Sequence, residues 1–225
     1  MDPALSALAA KALDLVPDGS RIGLGTGHAA EAFLHALADR VRQGLRVRGV
    51  PSSEATARLA RSLGLDLDTL DADEPLAVTI DGADEVERGS LNLIKGRGGA
   101  LVRERIVAAA ARRQVILVTA DKLVGRLGEH GLLPVEVLPF AAPFCRRRIA
   151  ALGPTPALRM HDGSPYVTDN GNRILDCGVQ PLQDAAALER SLLSIPGVVD
   201  TGLFLGTASL VLVARDGHIE DMTRA

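Results

Sequence analysis

Short apolar runs alternate with segments of helical period through the first half of the chain. Strands are predicted at 21–25, 45–50, 65–70, 76–81 and 114–119, and helices at 3–16, 30–43, 54–64 and 100–113. This alternation is typical of parallel βαβ units. Near-continuous apolar runs such as Val115 to Val118 suit a sheet covered on both faces. We therefore predict a doubly wound, Rossmann-like α/β domain.

The pattern changes from about Gly128 onward. Strands are predicted at 133–138, 156–161, 173–177 and 198–204, and helices at 142–153 and 184–195. The order β-α-β-β-α-β is that of a ferredoxin-like split βαβ unit. The following run "SLVLVA" is too apolar to be exposed, so we expect it to return to the first sheet. Residues 1–127 plus 205–225 are thus predicted to form the Rossmann-like catalytic domain, with a smaller ferredoxin-like α+β domain, 128–204, inserted near the C-terminus.

Composition and charge narrow the range of functions. A formal charge of -3 argues against a broad electrostatic footprint for nucleic acid or an anionic membrane. No apolar run approaches the ~20 residues that cross a bilayer, and Asp2 and Asp14 make the N-terminus an amphipathic helix rather than a signal peptide. Cys145 and Cys177 lack CxxC spacing, which predicts buried free thiols and a reducing cytoplasm.

The junctions after the predicted strands carry unusual sequence, and in an open α/β sheet ligands bind there. In "GLGTGHAAEAFL", Gly23, Gly25 and Gly27 lie between a strand and a helix. Their backbone N–H groups and the helix dipole could surround an anion. The stretch lacks the spacing of a dinucleotide site and the lysine of a P-loop, so neither NAD nor ATP is favoured. A tight turn without a ligand is the alternative.

The second junction, "VTIDGADEVE", places carboxylates just beyond the end of a strand. At the rim of a crevice Asp81 and Asp84 can reach a ligand instead of being buried without a partner. Glu85 and Glu87 are expected to face solvent or to cap local structure.

The third junction, "KGRGGALVRE", combines Lys95 and Arg97 with glycines at the start of a helix. Glu104 on that helix has apolar neighbours on the helical wheel, and desolvation would raise its pKa toward that of a general base. The alternatives are a flexible basic loop and a surface glutamate paired with a nearby arginine. Lys122, after strand "VILVT", could add a cation to the same rim.

Together these stretches predict a site for a phosphorylated polyol that undergoes proton transfer. The five histidines are scattered without the spacing of metal ligands, so no metal site is expected.

The chain resembles the A-type ribose-5-phosphate isomerases over nearly its whole length. The resemblance lies in "GLGTG", "IDGADEV", "LIKGRGGALVRERI", "ADKLVGRLG", "LPVEVLP", "VTDNGNRILD" and "SIPGVVDTGLF". It implies interconversion of D-ribose 5-phosphate and D-ribulose 5-phosphate, without a cofactor, in the non-oxidative pentose phosphate pathway. It also implies a cytoplasmic homo-oligomer, a dimer or tetramer, for which the second domain is the expected contact.

The resemblance also implies residue roles. Glu104 matches the catalytic base, Asp81 and Asp84 match the acids that handle hydroxyl protons, and Lys95 would stabilise an enediolate oxygen. The matching substrate-binding positions are Thr26, Gly27, His28, Ala29, Asp81, Gly82, Ala83, Asp84, Lys95, Gly96, Arg97, Gly98 and Lys122.

One departure from the family concerns its usual "GTGST", which here reads "GTGHA". His28 and Ala29 replace two hydroxyl side chains, so substrate binding could be weaker or altered. Two alternatives remain open: a sugar-phosphate-binding protein without turnover, and an isomerase for another aldose phosphate. A related fold used for CoA transfer is disfavoured, because its glutamate nucleophile needs a different setting.

Overall fold

The centre of the molecule is a six-stranded sheet, seen in a computed structural model that describes residues 2–71 and 74–224. In order across the sheet, the strands are β16 (His218–Met222), β15 (Leu210–Arg215), β6 (Gln114–Thr119), β3 (Val78–Gly82), β1 (Ser20–Leu24) and β2 (Val47–Pro51). All neighbouring strands are parallel except the β15–β16 pair. The predicted α/β fold with a parallel sheet is confirmed, and "SLVLVA" contributes β15 beside β6.

Both faces of this sheet are covered. The helices of this part are α1 (Pro3–Leu13), α2 (His28–Arg42), α3 (Glu54–Ser62) and α4 (Leu101–Ala109). Successive strand residues point to opposite faces. Val115 and Leu117 of β6 accordingly join the core beneath α1 and α2, whereas Ile116 and Val118 join a second core with Phe204. The aliphatic run of β6 is apolar throughout because both of its faces are buried.

Capping differs among the helices. Asp2 accepts the Ala4 N–H at 2.8 Å at the start of α1, and Ser53 accepts the Thr56 N–H at 3.0 Å at the start of α3. Helices α2 and α4 begin after Gly27 and Ala100 with no side-chain cap. Their first-turn N–H groups therefore remain available to a ligand.

The second unit is a four-stranded antiparallel sheet with two helices. Its elements are β8 (Leu132–Val137), α5 (Ala142–Ala150), β9 (Thr155–Leu158), β12 (Arg173–Gly178), α6 (Ala185–Leu193) and β13 (Val198–Thr201), and its sheet order is β13-β8-β12-β9. Cys145 and Cys177 are free thiols in its core, as predicted. Burial raises the pKa of Cys177 to about 12.

Two smaller sheets were not predicted. One contains β4 (Glu85–Glu87), β5 (Leu93–Ile94), β7 (Leu123–Val124) and β14 (Leu203–Phe204), and a hairpin joins β10 (Met160–His161) to β11 (Ser164–Pro165). Strands of two or three residues are too short to show a period in the sequence. β16 also escaped prediction, because its mostly polar sequence gives no apolar run.

Several predicted boundaries are wrong. The single strand expected at 198–204 is split into β13 and β14, which belong to different sheets. The strand expected at 156–161 breaks at Arg159, between β9 and β10. At 65–70 only Leu67 pairs, in an isolated bridge to Gly49. The helix expected at 100–113 ends at Ala109, because Ala111 forms a bridge to Leu76 instead.

Glu85 caps structure and does not face solvent. Its side chain is buried and accepts the N–H groups of Gly128 at 2.6 Å and His130 at 2.8 Å. Glu87 accepts a hydrogen bond from Ser90 in the turn that follows β4. Glu85 therefore fixes the loop at residues 128–130 through hydrogen bonds, and Glu87 fixes the turn after β4. Among the described residues, no helix has the length and apolar character required to cross a bilayer.

Candidate active site

A cavity of about 550 Å³ opens at the carboxyl ends of β1, β3 and β6. It collects residues predicted from four stretches that are far apart in sequence: those at Gly23, Asp81 and Lys95, and the one at Lys122. The predicted residues that line it are Thr26, Gly27, His28, Ala29, Gly82, Ala83, Asp84, Lys95, Gly96, Arg97, Gly98, Glu104 and Lys122. Asp2, Leu5 and Glu31 also line it and were not singled out from the sequence. Asp81 is 2% exposed and lies immediately behind Lys95.

Lys95 is the centre of a buried charge cluster. Its Nζ lies 3.0 Å from Asp81 Oδ2 and 3.2 Å from Glu104 Oε1, and it donates a hydrogen bond to the Gly82 carbonyl. The ring of Phe204 packs 5.7 Å from the same ammonium group. Buried charges are costly unless they are paired, and this arrangement pairs all three.

Lys95 and Glu104 shift each other's pKa. Burial raises the pKa of the Glu104 carboxyl to about 8, although the charge of Lys95 opposes the shift. Burial alone would lower the pKa of Lys95, yet the carboxylates of Asp81 and Glu104 raise it above its usual value. Glu104 Oε2 is buried and has no hydrogen-bond partner. The cluster therefore holds a carboxylate that can accept a proton near neutral pH beside a permanent cation.

Asp81 fixes the geometry beneath the cavity. Its Oδ1 accepts the N–H groups of Thr26 at 3.0 Å and of Gly82 at 2.8 Å, while Oδ2 faces Lys95. The carboxylate thereby joins the ends of β1 and β3. Gly25 is required for this approach, because a Cβ at that position would lie 2.3 Å from Asp81 Oδ1.

Gly25→Ala is expected to destabilise the fold by about 1 to 3 kcal/mol and to lower kcat/KM, because the added methyl displaces Asp81 from Lys95. Thermal unfolding and steady-state kinetics measure both effects. Gly178→Ala is the control, since its Cβ would meet its nearest atoms at 3.6 Å. An unchanged melting temperature and kcat/KM in Gly25→Ala would contradict this account of Asp81.

Asp84 differs from Asp81 in its exposure. It is half-buried and lines the cavity, and its Oδ2 accepts the Arg97 N–H at 3.0 Å. The Arg97 side chain itself is exposed. Asp84 thus presents a carboxylate to a ligand while one of its oxygens is fixed by the neighbouring loop.

The Thr26 hydroxyl belongs to a cluster that the sequence did not reveal. Its Oγ1 lies 2.9 Å from Ser52 Oγ, 3.0 Å from Ser53 Oγ and 3.2 Å from Thr56 Oγ1. These residues follow β2, and serines after a strand are too common to signal a site. The cluster holds the hydroxyl of Thr26 and Asp81 holds its N–H, so Thr26 fixes the position of the loop that continues into Gly27 and His28.

The rest of the cavity is lined by Lys122 and the N-terminus of α2, together with the acidic side chains of Asp2, Glu31 and Asp121. His28 is exposed at the first position of α2, and Lys122 Nζ lies 3.3 Å from Asp121 Oδ2. The uncapped starts of α2 and α4 add partial positive charge, which favours an anion. Among residues 2–71 and 74–224, no three His, Cys, Asp or Glu residues group as metal ligands would.

Comparison with known proteins agrees with this chemistry. The family model described as ribose 5-phosphate isomerase A (phosphoriboisomerase A) matches residues 48–218. The chain is 52% identical over 215 residues to ribose-5-phosphate isomerase A of Gloeobacter violaceus, covering 96% of this chain and 94% of that protein.

Solved structures give the same result. Ribose 5-phosphate isomerase A from Methanocaldococcus jannaschii superposes with a TM-score of 0.93 at 39% identity, covering 99% of each chain. A D-ribose-5-phosphate isomerase in complex with phospho-erythronic acid superposes with a TM-score of 0.94 at 34% identity, covering 98% of each chain. The ligand of that relative carries a phosphate and a carboxylate on one small carbon chain.

Proposed function

The chain belongs to the ribose 5-phosphate isomerase A family, and we propose that its cavity performs the reaction through Glu104, Lys95, Asp84 and Asp81. The protein is an aldose-ketose isomerase that interconverts D-ribose 5-phosphate and D-ribulose 5-phosphate. The observation that carries the residue assignment is the buried Glu104 carboxylate, with one unpartnered oxygen and one oxygen held by Lys95.

Glu104 is assigned as the base. The reaction moves one proton from C2 of the open aldose to C1 through an enediolate, while the proton of the O2 hydroxyl passes to O1. Oε2 of Glu104 is free to receive that proton, and a pKa of about 8 makes the acid form able to return it. Desolvation therefore matches the base to a step that requires removal of a proton at C2 and delivery of a proton at C1.

Lys95 is assigned as the electrostatic stabiliser. As the proton leaves C2, negative charge develops on O1, the carbonyl oxygen of the open aldose. The ammonium group is held in place by Asp81 and Gly82 before the substrate arrives, so no reorganisation is needed when the charge appears.

The two aspartates receive different tasks in this proposal. Asp84 lines the cavity, so it can exchange protons with substrate hydroxyls during ring opening. Asp81 is 2% exposed and both of its oxygens are engaged, so it acts by positioning Lys95 and the loop at Thr26.

The substrate is proposed to bind at segments 26–29 and 95–98 together with Lys122, and its phosphate at residues 26–29, 96–98 and Lys122, because Lys95 is assigned to the enediolate. These segments offer the uncapped N-terminus of α2 and the turn before α4, and Arg97 and Lys122 add charge. The relative bound to phospho-erythronic acid supports a phosphorylated, oxygen-rich ligand. His28 would replace a hydroxyl donor of the family's usual loop.

We further propose that residues 128–204 form a ferredoxin-like domain inserted into a Rossmann-like domain of residues 1–127 plus 205–225. The sheet order β13-β8-β12-β9 supports this division. Leu138, Phe140 and Phe144 are exposed on the inserted unit, with Phe140 fully exposed, and they suit a contact between copies in a homodimer or tetramer. Two free buried thiols fit a cytoplasmic location.

The test is an assay of the purified protein with D-ribose 5-phosphate in the presence of chelator, beside a panel of other aldose phosphates. We expect ribulose 5-phosphate to form, with D-ribose 5-phosphate giving the highest kcat/KM. Preference for another aldose phosphate would show that His28 and Ala29 alter the substrate. Saturable binding without turnover of any member of the panel would contradict an isomerase.

A further inference from the structure

The cavity is closed on one side by a short turn that the second unit holds from outside. This turn consists of residues 96–98, between β5 and α4. The guanidinium of Arg159 reaches it from the break between β9 and β10, and its Nη1 donates to the Gly96 carbonyl at 3.1 Å and to the Arg97 carbonyl at 3.0 Å.

These two bonds determine where the amides of the turn point. In a trans peptide the C=O and N–H groups lie on opposite sides of the same plane. With the Gly96 carbonyl toward Arg159, the Arg97 N–H points the other way and donates to Asp84 Oδ2 at 3.0 Å. With the Arg97 carbonyl toward Arg159, the Gly98 N–H is likewise turned away from Arg159, and Gly98 lines the cavity.

Arg159 is itself rigidly held. Its Nε donates to Asp176 Oδ2 at 2.8 Å, and a second guanidinium nitrogen binds the other oxygen of that carboxylate. Its backbone N–H donates to Ile174 O at 2.9 Å, and its carbonyl accepts the Tyr166 N–H at 2.9 Å. The side chain is only 13% exposed. A bidentate ion pair fixes the plane of the guanidinium, so both donors of Nη1 stay aimed at the turn.

Tyr166 adds a second contact from the same side. Its ring lies 5.7 Å from the Arg159 guanidinium. A Cβ at Gly99 would come within 2.3 Å of the Tyr166 hydroxyl, so the chain at the start of α4 packs directly on this ring. The second unit therefore shapes the substrate loop through two adjacent side chains.

We propose that Arg159 is a positioning residue for the isomerase reaction: it orients the 96–98 turn so that Gly98 N–H faces the substrate and Arg97 N–H holds Asp84. The proposal rests on the proposed function, because it assumes that this turn contacts the sugar phosphate. It gives the second unit a role in the active site of its own chain, independent of any contact between copies.

Kinetics of Arg159→Ala with D-ribose 5-phosphate provide the first test. KM is expected to rise about tenfold or more, with a smaller fall in kcat, because the donors of the turn are no longer aligned while Glu104 and Lys95 keep their places. Arg159→Lys is expected to recover only part of the loss. It keeps a positive charge opposite Asp176, but an ammonium group cannot bind both carbonyls and the carboxylate of Asp176 together. Arg40→Ala, which removes an exposed arginine in the last turn of α2, is the control and should change neither parameter.

Hydrogen exchange provides the second test and needs no activity. The amides of Arg97 and Gly99 donate to Asp84 and to the Gly96 carbonyl, so they should exchange slowly in the wild type and faster in both Arg159 variants. Exchange in the β6 core should stay unchanged. An inactive wild-type protein would refute the proposed function. Faster exchange of this turn in the Arg159 variants would still support the role of Arg159 in orienting the turn.

The proposal is overturned if a folded Arg159→Ala keeps KM within twofold of the wild type and exchange at the turn is unaltered. Should Arg159→Ala fail to fold, Arg159→Lys decides by the same two measurements, because it preserves the charge opposite Asp176. The proposal is also overturned if Arg159→Ala lowers the stability of the whole protein while the folded fraction keeps a normal KM. In that case Arg159 only stabilises the fold.

Discussion

Replacement of Glu104 by glutamine is expected to lower kcat about a thousandfold or more while the fold is kept. General acid–base catalysis contributes roughly 10²- to 10⁴-fold, and the amide of glutamine cannot accept the C2 proton. Glutamine has the same shape, and Lys95 retains Asp81 and the Gly82 carbonyl, so the site should stay assembled. Steady-state kinetics with D-ribose 5-phosphate, together with circular dichroism, measure the effect.

The pH profile of the wild type links that loss to ionisation of Glu104. Since its pKa is about 8, the base is mostly protonated below that pH, and kcat/KM should rise up to tenfold per pH unit and level off above pH 8. The phosphate of the substrate titrates near ~6 and gives a separate inflection. Glu220→Gln, an exposed glutamate of β16, serves as the control and should behave as wild type. A Glu104→Gln variant with near-normal kcat would refute the assignment of the base.

Lys95→Met is expected to lower kcat/KM by about 10²- to 10³-fold, which is typical for loss of one preorganised donor to a developing oxyanion. The substitution also removes the cation that lowers the pKa of Glu104. The inflection in the pH profile should therefore move above 8. Removing one member of a buried charge cluster costs about 3 to 5 kcal/mol, so the melting temperature should fall as well.

Lys122→Met distinguishes these effects from a general loss of positive charge. Lys122 lines the cavity but does not touch the Asp81–Lys95–Glu104 cluster. Its loss should raise KM and leave the inflection near pH 8 in place. If Lys95→Met keeps the wild-type inflection, the electrostatic coupling between Lys95 and Glu104 is wrong.

The residues that the structure brings together at the cavity could be singled out from the sequence because their signals are local. Asp81 lies near the end of the apolar strand β3, Asp84 lies two residues beyond it, and Lys95 and Glu104 bracket the start of one helix. Parallel strands bring such junctions to one edge of a sheet, so proximity follows from the fold class. The burial of Glu104 also follows, because Leu101 and Val107 share its side of α4 and both are buried.

The remaining parts depend on contacts between distant segments. The hydroxyls around Thr26 come from residues 26 to 30 positions away, and the Arg159 contacts cross more than 60 positions. The strand expected at 198–204 looks continuous, yet Gly202 packs against the Lys95 carbonyl, where a Cβ would lie 2.4 Å away, and the chain changes sheets there. Such a contact leaves no periodic pattern in the local sequence, so the break between the two strands could not be predicted.

Isotope exchange in D₂O tests most directly whether the enzyme moves a proton from C2 to C1 with a carboxylate base. Wild-type enzyme is incubated with D-ribose 5-phosphate in D₂O past equilibrium, and the sugar phosphates are analysed by NMR. We predict deuterium at C1 of ribulose 5-phosphate and at C2 of ribose 5-phosphate, and none with Glu104→Gln. Complete retention of the original hydrogen through many turnovers would contradict proton transfer and would indicate a direct hydride shift.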